Sequence, residues 1–160
     1  EMLQDGHVLF PGAVEFIRNA AAEVPIAIAS GALRQEIVEI TEAAGIRGLF
    51  TTIVAAGDTP QSKPSPAPYL LAFERLRQHS GRDLDANRCV AIEDSRWGIE
   101  SARAAGLRCV GVTNSYAATE LQGAELVVAS LGELTLPALD RLCASGPQAT
   151  EPQRHGAPHA

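Results

Sequence analysis

Between Arg88 and Gly106 a short run of Val, Ala and Ile ends in two adjacent carboxylates and a hydroxyl, Glu93-Asp94-Ser95, and a Gly- and Ala-rich helical pattern starts at once. This is strand, acidic turn, helix. Units of that kind wind parallel sheets, because a parallel neighbour is reached only through a crossover, usually helical. Carboxylates at the carboxyl end of such a strand lie where open α/β sheets bind ligands, and their oxygens suit a hard cation such as Mg²⁺. Acidic side chains also favour the positive end of a helix dipole. Taken alone, the stretch therefore reads as an ordinary helix start, and a metal site needs further support.

The same unit recurs along the chain. Glu1 to Phe10 reads as an irregular opening, and Ala13 to Glu23 as a helix with Pro11 near its first turn. Val24 to Ala29 suits a buried strand, with Pro25 confined to its first residues, and it ends in Ser30-Gly31-Ala32. Leu33, Ile37, Ile40 and Ala44 trace a helical stripe closed by Gly45. Thr51 to Ala55 is a second strand. A Pro-rich loop from Gly57 to Pro68 holds Lys63 on a stiffened connection, and Tyr69 to His79 follows in a helical pattern. After the strand at Arg88 come its helix, a strand over Arg108 to Val112 and a polar turn, Thr113-Asn114-Ser115-Tyr116. A short helix over Ala117 to Gln122 and an edge strand over Leu126 to Val128 lead to a last helix around Leu131 to Leu142, interrupted or delayed by Pro137. From Ser145 to Ala160 periodicity is lost, which predicts a disordered tail. His155 and His159 in it are too sparse to argue for a metal site.

The pattern predicts an α/β fold, a Rossmann-like doubly wound parallel sheet with helices on both faces, in one domain over residues 1–144 followed by a tail over 145–160. With 160 residues, 46% of them hydrophobic, the chain is long enough to bury a real core. A formal charge of −6 without a basic cluster gives no footprint for nucleic acid or an anionic membrane surface. No apolar run approaches a membrane span and no secretory leader is evident. Cys89, Cys109 and Cys143 are odd in number and widely spaced, and read as buried free thiols in a reducing, cytoplasmic setting. Small-molecule chemistry is the expectation.

In this fold the polar turns after the strands converge on one edge of the sheet. They bring together Ser30-Gly31-Ala32, Lys63, Glu93-Asp94-Ser95 and Thr113-Asn114-Ser115. A hydroxyl with open backbone N–H groups, one lysine and a carboxylate pair able to hold Mg²⁺ make a phosphate site. Each part has a plain reading alone: Ser30 as a helix cap, Lys63 as a solvated cation, the carboxylates as a helix start. Their order at the ends of successive elements is what argues for a site.

Those residues resemble the haloacid dehalogenase-like superfamily, in the branch of β-phosphoglucomutase-like proteins and small-molecule phosphatases. Ile26 to Ser30 looks like its second motif, Lys63-Pro64 with Pro68-Tyr69 its third, and Ile92-Glu93-Asp94-Ser95 with Gly98, Ala102, Ala105 and Gly106 its fourth. The resemblance runs from about Pro11 to about Leu142. It implies that Ser30, with the amides of Gly31 and Ala32, binds the phosphoryl oxygens and that Lys63 neutralises phosphate and nucleophile. It also implies that Asp94 holds Mg²⁺, with Glu93 as a direct or water-mediated partner, to balance charge on the transferred group.

The family's first motif, an apolar strand ending in Asp-x-Asp-Gly-Thr whose first Asp becomes the aspartyl-phosphate, has no counterpart in this sequence. No apolar strand precedes Asp5, and Asp58 sits in the loop before Lys63 where the family has no catalytic group. The chain is therefore expected to be the C-terminal part of a longer protein, entered as the cap domain ends. The missing strand would lie between those ending at Ser30 and Glu93, so a groove of unpaired backbone and apolar surface is expected there, with marginal stability or aggregation. The implied chemistry is Mg²⁺-dependent hydrolysis of a small phosphate monoester, inactive in this chain alone unless an N-terminal segment joins it in trans. Sugar-phosphate mutation and a non-catalytic phosphate- or Mg²⁺-binding module are the alternatives. A receiver-type signalling domain is disfavoured, because its acidic pair belongs near the N-terminus whereas Glu93-Asp94 follows Lys63.

Overall fold

The computed structural model describes residues 3–4 and 8–146. Asp5 and Gly6, and most of the expected tail, with His155 and His159, lie outside the described residues. Two two-residue strands, β1 (Leu3–Gln4) and β2 (Val8–Leu9), pair antiparallel where an irregular opening was expected. Then α1 (Ala13–Glu23), β3 (Ala27–Ala29), α2 (Arg34–Ala43), β4 (Thr52–Val54) and α3 (Ala67–Ser80) follow in order. The chain continues through β5 (Val90–Glu93), α4 (Arg96–Ala104), β6 (Arg108–Val112), β7 (Leu126–Val128) and α5 (Leu136–Ala144). Strand and helix alternate as the sequence pattern requires.

The differences from the sequence reading are local and have simple causes. Helix α3 starts two residues before Tyr69, since proline in a helix's first turn loses no intrahelical hydrogen bond and Pro68 is tolerated there. Pro137 acts in the same way in α5, whose N-cap Thr135 accepts a hydrogen bond from the Ala138 N–H, so the last helix is delayed to Leu136. Leu131–Glu133 forms a separate 3₁₀ turn, and the helix expected over Ala117 to Gln122 is a 3₁₀ turn at Ala118–Glu120. Gly45 and Gly106 end α2 and α4 in the left-handed region, at φ 68° and 83°, where a side chain would be strained.

All sheet pairing from β3 onward is parallel, and it falls into two pieces. Strand β3 pairs with β4, Ala27 opposite Thr52, and β5–β6–β7 form the other piece, with Val90 opposite Arg108 and Val110 opposite Leu126. The side-chain alternation of the strands sorts two cores onto opposite faces. Val90 and Ile92 of β5, with Val110 and Val112 of β6, pack with Ala13 and Ile17 of α1 and Leu139 and Leu142 of α5. Ala91 and Cys109 instead face Tyr69 of α3 and Ile99 and Ala102 of α4. A smaller cluster joins Ile37 of α2 to Ile53 and Ala55 on the other half-sheet. The expected doubly wound arrangement is what the structure has.

Strands β3 and β5 do not pair with one another. Both line a cavity of about 1510 Å³, β3 with Ile26 to Ser30 and β5 with Val90 to Asp94. The edge of β3 away from β4 and the edge of β5 away from β6 thus face each other across a slot without ladder bonds. This is the groove expected between Ser30 and Glu93. It also sets the site, because the carboxyl ends of both strands open at its mouth.

Candidate functional site

Ser30 leaves β3 with its N–H donating to the Val54 carbonyl at 2.9 Å. Its Oγ accepts from the Ala32 N–H at 3.1 Å, so it orders the turn rather than capping α2, which starts only at Arg34. The Glu36 carboxylate takes the Leu33 N–H at that helix start. Of the two amides expected to meet a phosphate, Ala32 is therefore engaged, and Gly31 has no acceptor among the described residues.

Lys63 spans the slot. Its Nζ donates to the Ala29 carbonyl at 2.9 Å and to Glu93 Oε1 at 2.5 Å, so one ammonium joins the carboxyl ends of β3 and β5. It also lies 4.9 Å from the centre of the Tyr69 ring, a cation–π distance. The Tyr69 hydroxyl donates to the same Glu93 oxygen at 2.5 Å. Burial, and then the Glu93 carboxylate beside it, push the Tyr69 hydroxyl well above the usual phenol range, which keeps it a donor. Glu93 itself is 4% exposed. Its other oxygen rests against the backbone of Gly98, where an added Cβ would sit 1.9 Å from Oε2. Ser95 caps α4 by accepting the Gly98 N–H at 3.1 Å, and the Ser101 hydroxyl reaches the Ser65 carbonyl at 2.6 Å. The Lys63 loop and the acidic turn are held together from both sides.

Asp94 is 3% exposed and lines the cavity; its Oδ2 accepts from the Ser115 hydroxyl at 3.0 Å. The turn after β6 is thereby tied to the turn after β5. Asp58 lies elsewhere: its Oδ2 accepts the Ala55 N–H at 3.0 Å and pairs with Arg34 at 2.5 Å, with Arg75 at 3.8 Å. Those bonds, the Ala55 amide first, hold its carboxyl below the usual range. It fastens the loop after β4.

The structure thus brings Ser30, Gly31, Lys63, Glu93, Asp94 and Ser115 to one mouth. Among the described residues no group of three or more His, Cys, Asp or Glu could hold a metal ion. Mg²⁺ is commonly held by one or two carboxylates, a substrate phosphate and several waters. The buried Asp94 carboxylate at the cavity wall fits that donor chemistry, whereas Glu93 Oε1 is occupied by Lys63 and Tyr69. Tyr69 and Gly98 belong to the motif pattern of the sequence, which does not reveal their roles. Gly98 stands five residues after Glu93 on the first turn of α4, and only the folded turn shows that the carboxylate fills the space a side chain would take.

A sequence profile of haloacid dehalogenase-like hydrolases matches residues 1–106. Protein CbbY of Cupriavidus necator is 37% identical over 137 residues, covering 82% of this chain and 52% of that protein. Phosphoglycolate phosphatase of Escherichia coli is 28% identical, over 87% of this chain and 54% of its own. Among solved structures, CbbY from Rhodobacter sphaeroides in complex with phosphate superimposes with a TM-score of 0.72 at 33% identity, over 82% of this chain and 59% of that one. A point mutant of that protein in complex with xylulose-(1,5)bisphosphate gives 0.73 at 33% identity, over 85% and 61%. The chain spans about half the length of the curated relatives it matches. No described helix is long and apolar enough to cross a membrane. With the profile covering most of the sequence and the motif residues gathered at one sheet edge, the chain belongs to the haloacid dehalogenase-like hydrolase family.

Proposed function

We propose that this chain supplies the phosphate- and metal-binding half of a phosphatase acting on a small phosphate monoester, with sugar phosphates the leading class. The carrying observation is Lys63, fixed at the mouth by the Ala29 carbonyl and Glu93. In this reading the open Gly31 N–H, the Ser30 hydroxyl and the remaining Lys63 proton receive the phosphoryl oxygens, and Lys63 offsets their charge. Glu93 and Tyr69 keep the ammonium in place. Asp94, oriented by Ser115, holds Mg²⁺, which when bound supplies further charge stabilisation for the phosphoryl group.

The slot between β3 and β5 receives an extended segment parallel to both strands, apolar where it passes Ile28 and Ala91 and ending in a carboxylate nucleophile beside Lys63. That segment is supplied in cis or in trans. Relatives named for phosphoglycolate hydrolysis and for a bound sugar bisphosphate support the ester class.

The test is an assay with p-nitrophenyl phosphate and Mg²⁺, with and without a synthetic peptide of an apolar strand ending in Asp-x-Asp-Gly-Thr. Turnover should need both components and vanish when the first Asp of the peptide is replaced by Asn. Turnover by the chain alone, abolished by Asp94→Asn, would overturn the reading.

A further inference from the structure

Resting on the phosphate site proposed above, we infer that Trp97 and Tyr116 form an aromatic rim that reads the organic group of the ester, selecting sugar-sized carbon skeletons over inorganic phosphate and two-carbon esters. Trp97 is 41% exposed, one of four large apolar side chains left open among the described residues, with Val24, Leu33 and Leu70. It lies in the first turn of α4, two residues after the N-cap Ser95, and lines the same cavity as Ser30, Lys63 and Asp94. Tyr116 lines it too.

The pair is fixed rather than loose. The rings meet edge to face, with centroids 6.1 Å apart and planes at 74°, an arrangement that aromatic quadrupoles favour. The Arg96 guanidinium lies 4.7 Å from the Trp97 ring centre, and cation–π contact restricts the indole further. Through Ser115, which donates to Asp94, the turn carrying Tyr116 is anchored to the acidic turn.

The chemistry follows from that placement. A phosphate held at Ser30, Gly31 and Lys63 carries its organic group within the cavity that Trp97 and Tyr116 also line, where an apolar surface offers contact to C–H groups. Inorganic phosphate has no carbon to place there. A two-carbon ester has little carbon to offer it, and a pentose 5-phosphate has a longer chain or ring to lie against it. The phosphate-binding groups are polar and bind every ester alike, so within this chain discrimination falls to the rim.

Trp97 is the only tryptophan in the chain, so its own fluorescence reports occupancy. The full chain with Mg²⁺ is titrated with inorganic phosphate, 2-phosphoglycolate and ribose 5-phosphate, by fluorescence and by calorimetry. Ribose 5-phosphate should bind about tenfold more tightly than the other two and should shift the emission. Trp97→Ala, followed by calorimetry, should remove that preference while changing inorganic phosphate affinity less than twofold. Trp97→Phe should keep part of it, and Tyr116→Ala should weaken it with the indole signal intact. Equal affinities for the three ligands, or a preference that survives Trp97→Ala, would overturn the rim while leaving the phosphate site standing. Phosphate binding that is absent, or indifferent to Lys63→Ala, would overturn both.

Discussion

Gly98→Ala separates the role of Glu93 as a buried counter-charge to Lys63 from ordinary helix chemistry, because the two predict opposite signs. In an exposed helix interior, alanine for glycine stabilises by about 1 kcal/mol. At this position the new Cβ would fall 1.9 Å from Glu93 Oε2 and 2.0 Å from its Cδ, so the carboxylate must leave. Glu93 could swing aside cheaply if it were solvated, but its side chain is 3% exposed and its partner Lys63 19% exposed, and Tyr69 shares the same oxygen. Breaking a buried pair costs about 3–5 kcal/mol, since each group is left desolvated without its partner. The helix gain offsets about 1 of this, which leaves a net loss of about 2–4 kcal/mol. For a domain of this size that corresponds to a fall in Tm of roughly 5–15 °C. Urea unfolding followed by circular dichroism measures it. In a Glu93→Ala background the space is vacated, so the same Gly98→Ala change should become neutral or stabilising, and the double-mutant cycle should show strong coupling. A Gly98→Ala chain as stable as the parent, or a loss that persists without Glu93, would refute the packing argument.

Three further outcomes test other parts of the molecule. The Asp58 carboxyl is lowered from its ordinary 3.8 by the Ala55 amide and by Arg34 and Arg75. Its stabilising contribution is thus fully present above about pH 4 and is lost as pH falls through the depressed value; Asp58→Asn should be less stable than the parent at neutral pH, the gap closing in acid titrations of stability. Burial pushes the Cys109 thiol up to about 12 and the Cys89 thiol up to about 11; both should react slowly with a disulfide reagent at pH 8 and at once in denaturant, and a fast native-state reaction of Cys109 would contradict its placement. The open slot beside β3 and β5 should bind an apolar dye such as ANS in the native chain, and a dye-silent, soluble monomer with a reversible cooperative thermal transition would show that the slot closes.

The sequence by itself determined the elements and their order. Apolar runs such as Ile26 to Ala29 and Val90 to Ile92, each broken by a polar turn and followed by a 3.6-residue stripe, are compatible with little besides a parallel α/β sheet, because period and turn chemistry are local properties. Ser30 and Glu93-Asp94 stand out as candidates because they end apolar runs, and Lys63 because it sits on the Pro-rich loop before α3. What only the tertiary structure decided are relations between residues far apart in the chain. Glu93 and Asp94 are neighbours in sequence, yet strand alternation turns the first toward Lys63 and Tyr69 on the α3 and α4 side while the second meets Ser115 across the sheet edge. No spacing rule predicts that one carboxylate of a pair becomes the lysine's counter-charge while the other is tied to the turn after β6. Likewise Trp97 and Gly98 adjoin, and only packing decides that one lines the cavity, partly exposed, while the other gives its side-chain volume to Glu93. Side-chain partnership depends on which surfaces the completed sheet brings within a few ångströms, and that information exists only once the chain has folded.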